Sequence, residues 1–188
     1  SSDNLLEVPI GRVPMVFAVK QSGLIDTCLA SLGGLTTGQL RWFLSGSSDN
    51  ALVSGIGELP GVDIASVAPN DDNDNVKEWS DISSTCPEDE IVFVHEWENK
   101  TDSAILKKEL FCSGCQQKDS LYSHSNDRAR FQVEFPSEVL DGLNGPAGDS
   151  LLGMVDLMYA TNNPAGISLV PLVDNLTHGV VDALAAGD

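Results

Sequence analysis

The chain has 188 residues, 41% of them hydrophobic and 20% charged, the composition of a globular domain rather than a disordered one. Ten Lys and Arg against 28 Asp and Glu leave a formal net charge of −18, which argues against nucleic acid or anionic lipid as partners, since neither releases counterions onto a negative surface. No apolar run approaches the roughly 18 residues of a membrane helix, and the start of the chain lacks the basic and apolar regions of a signal peptide.

Taken in order, Ser1–Glu7 is polar and is expected to lie inside a larger polypeptide. Val13–Lys20 reads as a buried strand, with Pro9 and Pro14 at or before its beginning, where a missing N–H is tolerable. Leu24–Leu32 is expected to form a helical turn. In Leu35–Gly46 the residues Leu40, Trp42, Phe43 and Leu44 make a short amphipathic helix, capped by Thr36 or Thr37 and ended by Gly46. Residues 47–76 are rich in Gly, Ser, Asn and Asp and read as an acidic, mobile surface excursion, with a short strand at Asp63–Val67.

Trp79–Ile82 leads through Cys86 and Pro87 into a strand, Glu90–His95. The polar loop Glu96–Ser103 follows, then a helix Asp102–Phe111 for which Thr101 is the N-cap and Lys107 and Lys108 suit the last turn. Gln116–Arg130 is polar loop and Phe131–Phe135 alternates like a strand. Ser150–Tyr159 reads as helix, with Leu151, Leu152, Val155 and Met158 on one face. The turn Asn163–Gly166 opens a strand Ile167–Leu172, and Val180–Ala186 is a short tail segment. Strands alternating with helices, without an internal repeat, predict an α/β domain with a mostly parallel sheet.

A strand that ends in a loop opening a helix is where such sheets gather anions. Thr101 Oγ and the backbone N–H groups of Asp102 and Ser103 would point at a small oxyanion, with Lys100 supplying a point charge. Glu96, Glu98 and Asp102 oppose this, each by about 1 kcal/mol or more at intermediate dielectric, and a capped helix start without a ligand explains the same residues. A calcium reading arises from Asn70, Asp72, Asp74, Glu78 and Asp81, which fall at the first, third, fifth, ninth and twelfth positions of an EF-hand-like loop. Asn75 replaces the usual glycine and Asp81 is too short for the usual bidentate glutamate, which favours a solvated acidic loop.

Cys28, Cys86, Cys112 and Cys115 are disulfide candidates. The pair Cys112 and Cys115 is also compatible with a redox motif or, with His124, a zinc half-site. It sits at the wrong end of its expected helix for the first and lacks a second close pair for the second. An even cysteine count with the sequons at Asn99 and Asn175 fits a secreted, periplasmic or organelle-lumenal protein. His95, His124 and His178 are scattered. No nucleophile elbow, P-loop or dinucleotide fingerprint occurs, and no catalytic residue or cofactor is expected.

The order of these segments resembles the phosphate-type periplasmic substrate-binding proteins of ABC transporters. The likeness rests on the helix motif Leu35–Gly46, on Glu78-Trp79-Ser80-Asp81-Ile82, and on the turn and strand Asn163–Val170, and it covers residues 8–46 and 77–186. It implies a three-layer αβα lobe, residues 1–188, with a mostly parallel sheet and one antiparallel hinge strand, Val13–Lys20. It also implies a ligand loop at Asn99, Lys100, Thr101, Asp102 and Ser103. Here the family's Ser-Gly-Thr-Arg keeps its threonine, while the glycine is lysine and the arginine aspartate. The same topology groups Cys28, Cys86, Cys112 and Cys115 at the end distal to the hinge, so that bridges involving Cys28 and Cys86 are compatible with it.

The resemblance leads to a non-catalytic domain that binds phosphate or a related oxyanion and is completed by another lobe, domain or chain. The residues alone favour a structural or interaction domain that has lost that ligand and uses its acidic surface for divalent cations or a protein partner.

Overall fold

The computed structural model describes residues 14–44, 64–72, 76–96 and 130–173. These form one five-stranded sheet between two helical layers, the αβα lobe expected from the sequence. In chain order the strands are β1 (Met15–Lys20), β2 (Val92–Glu96), β3 (Arg130–Val133), β4 (Leu151–Asp156) and β5 (Ile167–Val170), arranged β3-β2-β4-β1-β5. β2 lies between β3 and β4 and runs parallel to both. β1 pairs antiparallel with β4 on one side and β5 on the other, so it is the single reversed strand.

The central strands are apolar on both faces, as strands covered on both sides must be. One side of the sheet presents Phe17, Val19, Phe93, Leu152, Met154 and Val170 to α1 (Leu24–Leu32), α2 (Thr37–Leu44), α3 (Ile64–Val67) and α4 (Trp79–Ile82). Trp42 and Trp79 are fully buried in this layer. The other side presents Ala18, Val94, Leu151 and Val155 to α5 (Pro136–Asn144) and α6 (Leu157–Asn162).

Local chemistry sets the boundaries. α1 ends at Gly33 and Gly34, both with positive φ; the Gly34 N–H donates to the carbonyl of Leu29 at 2.9 Å, closing the last turn. Thr36 is the N-cap of α2. Its Oγ1 accepts the Gln39 N–H at 3.0 Å, while Gln39 Oε1 accepts the Thr36 N–H at 2.8 Å, a reciprocal capping box. Beyond β5, Leu35 forms a parallel bridge with Leu172, which holds the start of α2 against the end of the sheet.

Several elements differ from expectation. Ser150–Tyr159 is not one helix but strand β4 followed by α6, because Leu151–Gly153 pair with β2 and Gly153–Asp156 with β1. A short apolar run has the same pattern in a buried strand and in a helix, and pairing partners distant in sequence decide between them. Asp63–Val67 is not a strand: Ile64–Val67 is one helical turn, and Val67 and Ala68 are buried in the core, so this part of 47–76 is packed rather than peripheral. Leu24–Leu32 is a nine-residue helix rather than a single turn. α5 has no counterpart among the elements expected from the sequence. The expected helix Asp102–Phe111 and the tail segment Val180–Ala186 lie outside the described residues. Among the described residues no helix is long and apolar enough to cross a membrane.

Candidate functional site

The parallel strands β3, β2 and β4 end together. Pairing of Glu96 with Val133 and of Val94 with Gly153 brings Val133, Glu96 and Val155 to one level across the sheet. Open α/β sheets receive ligands outside this carboxyl edge, since the loops and helix starts that follow the strands converge there.

β2 reaches the edge with two buried ionisable side chains, His95 with no exposed surface and Glu96 at 7%. The imidazole stacks on Phe93, ring centroids 4.8 Å apart and 21° between planes, and so lies on the α1–α4 side of the sheet. The chain then continues to Asn99, Lys100, Thr101, Asp102 and Ser103, the expected ligand loop, which lies outside the described residues.

β3 leaves through Glu134 and Phe135 into α5. The Glu138 carboxylate turns back and accepts the N–H groups of Glu134 at 2.7 Å and Phe135 at 3.0 Å, satisfying donors ahead of the helix. β4 leaves through Asp156, whose Oδ1 accepts the Tyr159 N–H at 2.8 Å and caps α6. The Leu157 N–H donates to the carbonyl of Pro14, tying this exit to the entry of β1. Phe135 and Met158, 53% and 68% exposed, flank the exit of β2 on either side.

Among the described residues, the ionisable side chains at the strand exits on this edge are mostly acidic. Glu96, Glu134 and Asp156 stand at the strand ends. Of the basic residues described, Lys20 closes β1 at the opposite edge and pairs with Asp149 at 3.2 Å, and Arg130 opens β3 there. Lys77 is buried, donates to the carbonyl of Trp42 and lies 5.3 Å from the centroid of its ring. Arg41 belongs to the interior of α2.

Four of the five calcium candidates are described, and they meet around α4 at the opposite end of the lobe. The Asn70 N–H donates to the Asp81 carbonyl at 3.1 Å and its side-chain amide to the Ser80 carbonyl at 3.0 Å. Asp81 Oδ2 accepts the Glu78 N–H at 2.7 Å, capping α4. Burial pushes the Asp81 carboxyl up from 3.8 to about 6; the Glu78 N–H pulls it down, and the charges of Asp71, Glu78 and Asp72 add to the rise. Asp72 and Glu78 are thus close enough to sense Asp81. Yet among the described residues no group of three or more His, Cys, Asp or Glu is arranged to hold a metal ion. Asp74 lies outside them.

Cys28 and Cys86 form a disulfide between α1 and the segment that follows α4, with Cα atoms 5.1 Å apart. Cys112 and Cys115 lie outside the described residues. The sequence assigns Glu134 and Asp156 no site role, and Phe135 and Met158 enter it only as the end of an expected strand and part of an apolar helix face. Pro136 with Glu138 two residues later, ahead of Val139, Leu140 and Leu143, was the available signal for α5 and hence for the exit of β3.

No protein-family model matches this chain, and no curated protein matches it. Among solved structures it is similar to one described as a possible phosphate binding protein from Planctomyces limnophilus, with a TM-score of 0.50 and 14% identity over 89% of this chain. It is also similar to PstS from Borrelia burgdorferi, with a TM-score of 0.48 and 14% identity over 93% of this chain. The chain spans 44% of the first and 52% of the second, about half the length of each. At this identity the first likeness is one of fold.

Proposed function

We propose that this chain is a non-catalytic domain of the substrate-binding-protein kind that takes phosphate or a related oxyanion at the loop Asn99–Ser103. The observation that supports it is the level ending of β3, β2 and β4, with β2 leading directly into that loop at the edge where such sheets receive ligands. The solved structure with the TM-score of 0.50 carries a phosphate-binding description, which agrees with this choice of ligand. In this reading the Thr101 hydroxyl and the backbone N–H groups of Asp102 and Ser103 donate hydrogen bonds to the anion's oxygens, and Lys100 supplies a positive charge. A single lobe touches an anion from one side only, so tight binding needs a second lobe, from this polypeptide or another. The Cys28–Cys86 disulfide fits a secreted, periplasmic or lumenal setting.

A second reading, a structural or interaction domain without an oxyanion ligand, is favoured by Glu96, Glu134 and Asp156 at the same edge, which repel an anion. Calorimetric titration with phosphate at low ionic strength separates the two. Measurable heat that Thr101→Ala abolishes is the expected outcome of the first; no heat from the unmodified protein supports the second.

A further inference from the structure

We draw no further inference here: the strongest candidate, the exposed apolar residues Phe135 and Met158 flanking the exit of β2 at the carboxyl edge of the sheet, carries nothing because nothing in the structure shows what covers them.

Discussion

Cys28, in the middle of α1, is bonded to Cys86, 58 residues further along the chain, and both sulfur-bearing residues are buried. The link joins the helix beside β1 to the segment that feeds β2, closing the loop that contains α2, α3 and α4. Closing a loop of that length removes denatured-state freedom equivalent to about 4 kcal/mol. Replacing both cysteines by serine is therefore expected to lower the melting temperature by roughly 10 °C for a chain of this size. Thermal unfolding followed by circular dichroism checks this; an unchanged midpoint would mean the link adds nothing to stability.

Asp81 predicts a pH dependence of definite sign. Its carboxyl is pushed up from 3.8 to about 6, chiefly by burial at 7% exposure, so the folded state holds the proton more tightly than the unfolded chain. The resulting stabilisation is full below the unfolded value and is lost as pH rises through about 6. The difference corresponds to about 3 kcal/mol between the two limits. Asp81→Asn keeps an oxygen for the Glu78 N–H but carries no charge, so it is expected to gain about 1–3 kcal/mol at neutral pH. It should gain little near pH 4. Urea titrations of both proteins at several pH values give the comparison. Equal slopes of stability against pH between 4 and 7 would show that Asp81 ionises in the folded protein as it does in the unfolded chain.

The layers of the fold were legible in the sequence where local pattern and tertiary placement agree. β1 is a continuous apolar strand, and α2 carries its own capping box in Thr36 and Gln39. β4 was not legible. Leu151, Leu152, Val155 and Met158 lie at helical spacing, but Leu151 and Val155 face α5 and α6 while Leu152 packs toward Phe93 on the other side. Only contacts with β2 and β1, distant in sequence, distinguish the two structures. Gly153 marks the difference: a Cβ there would stand 2.9 Å from Leu143 Cδ1 and from Val139 Cγ1, because α5 crosses directly over the strand. The acidic turn was legible as a set of residues but not as a geometry. The Asp81 side chain that a calcium loop would need is turned inward to cap α4.

Gly33 and Gly34 offer a test of how α1 is joined to α2. Both have positive φ, 82° and 129°. A Cβ on Gly33 would meet only Val173 Cγ2 at 3.9 Å, whereas one on Gly34 would lie 2.1 Å from the carbonyl oxygen of Pro171. That oxygen accepts the Leu35 N–H at 2.9 Å and so holds the start of α2 to the end of β5. Gly33→Asn should cost less than about 1 kcal/mol, since asparagine tolerates the left-handed region. Gly34→Asn should cost at least about 2 kcal/mol, because backbone must move. Denaturant midpoints measure both; equal losses would show that positive φ, and not the approach of Pro171, sets the requirement.

The choice between an oxyanion domain and an acidic interaction domain has its own thermal signature. A ligand that binds only the folded state stabilises it by about 2.7 kcal/mol at a hundredfold excess over its dissociation constant, or roughly 5–10 °C here. Under the proposed function, phosphate raises the melting temperature and Thr101→Ala removes the rise, while calcium has no effect. Under the second reading phosphate does nothing, because the acidic residues Glu96, Glu134 and Asp156 at the strand exits disfavour an anion there. Calcium then stabilises only if Asn70, Asp72, Asp74, Glu78 and Asp81 can be drawn round an ion. That would require Asp81 to leave the Glu78 N–H, so the gain would fall short of that of a preformed site. Asp72→Asn, at an exposed position, should abolish any calcium shift, measured against that variant's own unliganded melting temperature. Indifference to both ions would set aside each small ligand and leave a protein partner as the use of this surface.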